Sequence, residues 1–229
     1  MSQPAVAALA SLPFELVFDD GEPLETEWHT VQLPLLRKVI RQRMLERERR
    51  DFYVGGNMFV YYSVEQARDV AKGRPYFMGP DVFWVGGVEP DRKRKGWVSW
   101  QEGGRLPDVI VELLSPTTAE IDRTMKKDLY ARVFRTSEYY LYDPDARTLE
   151  GLRLVDRFYQ PMAPDPQGRL WSEQLGAFLG LWQGRREGLE RTWVRLFRPD
   201  GSLVPTGEER AVEAEAELGR LRAQLERRE

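Results

Sequence analysis

Cysteine is absent from the 229 residues, which excludes disulfides, thiolate zinc sites and cysteine nucleophiles. His29 is the single histidine. Any metal site must therefore rest on oxygen ligands, a donor set that suits Mg²⁺ or Mn²⁺ better than zinc. Asn57 is the single asparagine and Arg greatly outnumbers Lys, a bias that fits a hot habitat or a GC-rich genome equally well. No run approaches the roughly 20 apolar residues that span a bilayer. The opening MSQPAVAALASLPFEL has neither the basic start nor the long apolar core of a signal peptide. These features predict a soluble, cytoplasmic chain with no membrane partner. Positive charge is not in excess either: the formal net charge is −3 and the pI about 5.5. That argues against a surface that holds nucleic acid through phosphate contacts alone, and leaves room for a local basic groove.

The apolar content is 41% and the aromatic content 11%, enough for one sizeable core plus an appendage. Residues 1–27 read as an irregular segment, with Pro4, Pro13, Pro23 and the acidic turn Asp19-Asp20-Gly21-Glu22. Residues 28–200 read as the domain. Leu33, Leu36, Ile40, Met44 and Leu45 recur at helical steps between His29 and Arg49. After the turn at Gly55-Gly56-Asn57, strands are expected at Met58–Ser63, Val82–Val88, Trp97–Glu102 and Val109–Leu114. A helix follows from about Thr118 to Phe134, with a capping box suggested by Thr117 and Glu120. Further strands are expected at Glu138–Tyr142, Leu149–Leu154, Phe158–Tyr159 and Thr192–Phe197. The order implies an α/β sandwich with a mixed sheet. The tail, residues 208–229, has helical composition, and Ala211, Ala214, Leu218, Leu221 and Leu225 form a short heptad seam. Two heptads are too short to be stable alone, so this helix is expected to pair with a partner copy as a homodimer contact, to dock on the domain, or to fray in solvent. Deletion of 208–229 is expected to leave the domain's melting temperature nearly unchanged, apart from any dimer contribution.

The chemistry lies in PDVIVELLSPTTAEIDRTMKKDLY, residues 107–130. In its strand, Val109, Val111 and Leu113 point one way and Ile110, Glu112 and Leu114 the other. Glu112 is therefore a carboxylate flanked by apolar neighbours, costly to bury without a cation, a metal or an arginine partner. Asp81 is similar, opening the apolar VFWV after Gly79-Pro80. By itself it reads equally well as a turn aspartate. Two acids on neighbouring strands could share one Mg²⁺. In the helix, Ile121, Met125, Leu129 and Val133 read as the core stripe, with Asp122, Lys126 and Tyr130 at its rim. Alone, Asp122 and Lys126 read as a surface pair. The basic run Asp91–Lys95 reads as a phosphate contact or a solvated hairpin tip.

Together, GPDVFWVGGV, RKGWVSWQEGG, the 107–130 segment, EYYLYDP and, less distinctively, VGGNMFVYYS resemble the Uma-type restriction endonuclease family of the PD-(D/E)XK nuclease superfamily. The resemblance covers roughly residues 28–155. It implies a restriction-endonuclease-like αβββαβ core and Mg²⁺- (or Mn²⁺-) dependent hydrolysis of DNA. By position it places Asp81 and Glu112 as metal ligands. The superfamily's lysine position, two residues after the second acid, holds Leu114 here. The resemblance moves that role to Lys126, with Lys127 as the neighbour to test against it. Asp108 belongs to a PD pair but lies about 13 Å from Glu112 along the strand, so it is a supporting residue at most. Glu102 in WQEGG is another supporting candidate. Lys126→Met is expected to abolish cleavage and spare the fold. Two other classes remain open: a nuclease fold that binds DNA or protein with little catalysis, and a carboxylate-pair glycosidase.

Overall fold

The computed structural model describes residues 12–18, 26–73 and 79–227. The acidic turn at 19–22, Pro4 and Pro23 lie outside the described residues. Thr26 caps α1 (Glu27–Glu46), which buries Leu33, Leu36, Ile40 and Met44 as the periodicity requires and leaves Leu45 exposed.

A six-stranded mixed sheet forms the centre. Its strands are β1 (Phe52–Gly56), β3 (Val82–Gly86), β5 (Val109–Leu113), β6 (Glu138–Asp143), β7 (Thr148–Val155) and β8 (Phe158–Pro161), in that spatial order. Only β5 and β6 run parallel. Parallel neighbours need a crossover, and the helix over 119–134 provides it. The series α1, β1, β3, β5, helix, β6 is the expected αβββαβ core.

The two faces of β5 separate as the alternation predicts. Val109, Val111 and Leu113 join the core under α1, whereas Ile110 and Leu114 pack with Phe83, Tyr130 and Tyr139 under the 119–134 helix. A second antiparallel sheet, β9 (Leu170–Ser172), β10 (Ala177–Arg186) and β11 (Leu189–Phe197), closes over the α1 side. The β10–β11 hairpin turns on Glu187-Gly188, both at positive φ (46° and 85°), as a tight two-residue turn requires.

Several expectations are corrected. The strand expected at Met58–Ser63 shrinks to β2 (Val60–Tyr61), because Ser63 caps an unforeseen helix, α2 (Val64–Ala71). The strand expected at Trp97–Glu102 is only β4 (Trp97–Val98), followed by a 3-10 turn at Ser99–Gln101. The crossover helix begins after Thr118, with no side-chain capping bond. Its core stripe is also displaced. Ile121, Met125 and Val133 are exposed, and Asp122, Tyr130 and Phe134 are buried. The cause is two π-helical turns, Asp122–Lys126 and Tyr130–Phe134, between α-helical turns. Mixing π and α turns brings the repeat to about four residues, so 122, 126, 130 and 134 align. Their predecessors are rotated about 90° into solvent.

The chain closes with the C-terminal helix Gly207–Glu226, which buries none of its residues. No helix among the described residues is long and apolar enough to cross a membrane.

Candidate active site

The register Val82↔Val111 brings Asp81 opposite Glu112 at the end of the β3–β5 pair, on the face of the crossover helix. Each acid is held by the other's strand. The Asp81 N–H donates to Glu112 Oε2 at 3.2 Å, and the Leu113 N–H donates to Asp81 Oδ2 at 2.7 Å. Close approach of β1 fixes the Asp81 backbone as well. Asn57 N–H donates to the Asp81 carbonyl at 3.1 Å, and a Cβ on Gly56 would lie 2.9 Å from that oxygen. Glycine at 56 therefore lets the turn pass directly over the site.

The crossover helix supplies the other half. Lys126 Nζ lies 3.2 Å from Glu112 Oε1 and 2.7 Å from Asp122 Oδ1. The Tyr130 hydroxyl donates to Glu112 Oε1 at 2.8 Å. Asp122, Lys126 and Tyr130, four residues apart, share the helix face toward the strand, and the π turns bring them closer into line. Sequence reasoning placed these three on one stripe, at its rim, but gave Asp122 and Tyr130 no role in the site. The signal for them was the four-residue spacing of polar groups itself.

Three carboxyl groups thus meet one ammonium. Glu112 is fully buried, and burial pushes its pKa up to about 7, with the Lys126 charge opposing the rise and Asp81 adding to it. Burial also raises Asp81, against the pull of Lys126, and raises Asp122, with help from the Glu112 charge. For Lys126, burial disfavours the ammonium, but Glu112, Asp122 and Asp81 outweigh it and hold the pKa above its ordinary value. Lys126 keeps its positive charge at all ordinary pH values.

The negative charge in excess, carried by oxygen donors alone, fits a hard divalent cation such as Mg²⁺ between Asp81 and Glu112. Among the described residues, no group of three or more His, Asp or Glu is arranged to hold a metal. Water or phosphate oxygens would complete the shell, as is usual for Mg²⁺.

The other expected residues lie elsewhere. Asp108 sits at the opposite end of β5, accepting from Gly86 N–H at 2.8 Å and pairing with Arg105 at 3.1 Å. Glu102 pairs with Arg94 at 2.9 Å. In the basic run, Arg94 is buried against the rings of Tyr53 and Trp97, which removes it as a phosphate contact. The run as a whole follows β3, beyond the end opposite Asp81. Lys127 is partly exposed and makes no ion pair among the described residues. His29, the single histidine, lies behind β5, its Nε2 donating to the Leu113 carbonyl at 3.2 Å and its Nδ1 2.8 Å from Thr26 Oγ1.

A pH dependence follows. Glu112 ionises at about 7 in the fold and at 4.5 ordinarily. Between these values the unfolded chain has lost a proton that the folded chain still holds. Stability is therefore fully present below about pH 4.5 and falls as the pH rises towards 7, by an amount on the order of 3 kcal/mol. Asp81 and Asp122 contribute with the same sign. Urea unfolding in EDTA at pH 5 and pH 8 should show the loss, and Glu112→Gln should reduce it. An equal loss in wild type and variant would remove Glu112 as its source.

Residues 10–186 match the family model described as "Uma2: Putative restriction endonuclease". Among solved structures, the chain is similar to a "putative nuclease belonging to DUF820" from Anabaena variabilis, at 15% identity and a TM-score of 0.46. That alignment covers 67% of this chain and 76% of the other. No curated protein matched.

Proposed function

The chain belongs to the Uma2 family described as "Putative restriction endonuclease", and from that premise we propose that it is a divalent-metal-dependent endonuclease hydrolysing DNA phosphodiester bonds at Asp81, Glu112 and Lys126. The observation that supports this most is the buried group itself, with two acids cross-braced through each other's strands and a lysine against one of them. A divalent cation bound between Asp81 and Glu112 would polarise the phosphate and make a bound water more acidic. The protein's own groups have distinct parts. Lys126 stays protonated and acts by charge, stabilising the negative oxygens of the phosphorane-like transition state. Asp122 anchors the ammonium, and Tyr130 fixes the orientation of Glu112. The Leu113 amide holds Asp81 in place.

A glycosidase has less support. Such enzymes need two carboxyl groups facing each other across a sugar, whereas here each acid is bonded to the other's strand and a lysine occupies the side of Glu112.

The test is nicking of a supercoiled plasmid with Mg²⁺, with Mn²⁺ and with EDTA, using wild type and Asp81→Asn. Nicking that needs the metal and Asp81 is expected. Nicking in EDTA, or undiminished in Asp81→Asn, would overturn the assignment.

A further inference from the structure

A cavity of about 470 Å³ opens beside the candidate active site, between the end of the central sheet and the β10–β11 hairpin. One wall is Leu114-Ser115-Pro116, the residues that directly follow β5, so the cavity begins two residues after Glu112. It lies outside the carboxyl ends of β5 and β6, the only parallel pair of the sheet. Crevices at that end of parallel strands are where ligands of α/β sheets bind.

The lining has a definite chemistry. Trp28 is half-buried and held in place by Trp193, stacked at 6.3 Å and 11°, and by Tyr142 at 5.5 Å. It thus brings a fixed indole to the cavity at little entropic cost. Arg147, on the β6–β7 turn, and Arg191, on β11, are exposed there, and neither makes an ion pair among the described residues. Arg94, Arg186, Arg195 and Arg198 are by contrast committed, Arg94 to Glu102, Arg186 and Arg195 to Glu209, and Arg198 to Glu46. Gln183 adds an amide able to donate and accept. Asp145 and Glu190 also reach the cavity, so it is not uniformly basic and would not hold a bare anion by charge alone. His29 joins cavity and site mechanically, lining the one and donating to the Leu113 carbonyl of the strand that carries Glu112.

We propose that this cavity is a subsite for one unpaired nucleotide, its base stacked against Trp28 and its phosphate held by Arg147 and Arg191. The volume is that of a small-ligand pocket, sufficient for a single nucleotide and too small for a base pair with its stacked neighbours. Stacking on an aromatic ring requires a base that has left its own stack. The inference rests on the nuclease reading for its biological sense. It makes the preferred substrate a strand that is single-stranded, or locally unpaired, next to the bond that is cut.

The experiment reads binding, in EDTA, so that no cleavage intervenes. Fluorescence anisotropy with a fluorescein-labelled 12-mer of thymidylate is compared with the same oligomer carrying abasic positions throughout, and with a blunt duplex. Competition by free 5′-dTMP distinguishes a strand-borne nucleotide from a free one. The wild type should bind the thymidylate strand about ten-fold more tightly than the abasic strand, the scale of one stacked base. Arg147→Gln/Arg191→Gln, at two exposed positions, should lose about ten-fold on both strands. Trp28→Phe should keep part of the base preference and Trp28→Ala should abolish it. If Trp28→Ala fails to fold, the arginine pair and Trp28→Phe still decide. Equal affinity for abasic and intact strands in the wild type, or unchanged binding in the arginine double variant, would overturn the proposal. Tighter binding of free 5′-dTMP than of the strand would overturn its substrate part. A protein that binds as expected but never nicks a plasmid sinks the nuclease reading and leaves this subsite standing. One that nicks, yet shows no base preference, does the reverse.

Discussion

Lys126→Met is expected to cut single-turnover cleavage at saturating Mg²⁺ by about a thousand-fold, the scale of losing one preorganised charge at a phosphoryl centre. Lys127→Met should stay near wild type, because that side chain makes no ion pair among the described residues. The sequence reading also expected Lys126→Met to spare the fold, as loss of a rim charge. That part is corrected. The Lys126 side chain is only 16% exposed and faces both Glu112 and Asp122. Its loss leaves carboxylates buried without a counter-charge, which typically costs about 3–5 kcal/mol. The cost should be smaller at pH 5, where Glu112 is protonated, than at pH 8. Activity must therefore be measured well below the variant's melting temperature, beside Lys126→Arg, which keeps the charge. Near wild-type cleavage by Lys126→Met would end the case for its role. Equal destabilisation at pH 5 and pH 8 would show that its part in the fold is not electrostatic.

The second large effect concerns the tail. Glu209→Ala is expected to lower the melting temperature by about 10 °C, whereas truncation after Arg210 should leave it nearly unchanged. Arg195 has a fully buried side chain, and burial pulls its pKa down to about 10. Glu209 accepts from it at 2.8 and 3.2 Å and also pairs with Arg186. The same glutamate closes the capping box with Thr206. Removing it strands a buried guanidinium, which costs about 3–5 kcal/mol, at roughly 2–4 °C per kcal/mol for a chain of this size. Beyond that point the helix adds little, since Val212, Leu218, Leu221 and Leu225 all stand in solvent. The expectation that the whole of 208–229 could be deleted without effect thus gives way at its first residues, because the segment includes Glu209. A Glu209→Ala protein melting within two degrees of wild type would contradict this account.

Much of the centre was legible because its signals are local. The alternation in VIVELL separates the two faces of β5, and an acid within an apolar strand marks Glu112 whatever surrounds it. Asp81 needed a partner to be noticed, and the register supplies one. The crossover helix was misread by one residue because sequence periodicity assumes 3.6 residues per turn. Its apolar Ile121, Met125 and Val133 looked like the core, and the π turns put Asp122 and Tyr130 there. Of the second sheet only the inner part of β11 was read, and β9, three residues long, and all of β10 were missed. The outer half of β10, from Leu181 to Arg186, has no run of buried residues to reveal it. Glu209 was hidden among many surface glutamates, since its partner Arg195 lies on another element.

The packing of α1 against β11 sets a schedule for synthesis. Gln32, fully buried, donates to the carbonyl of Val194 at 3.1 Å and accepts from its N–H at 2.8 Å, across 162 residues of chain. At typical ribosomal speeds of about 5–20 residues per second, roughly 10–30 s separate the emergence of the two partners. Throughout that interval α1 can pack on β1, β3 and β5, but the side of it that meets β11 has no final cover, so that side is the last part of the core to close.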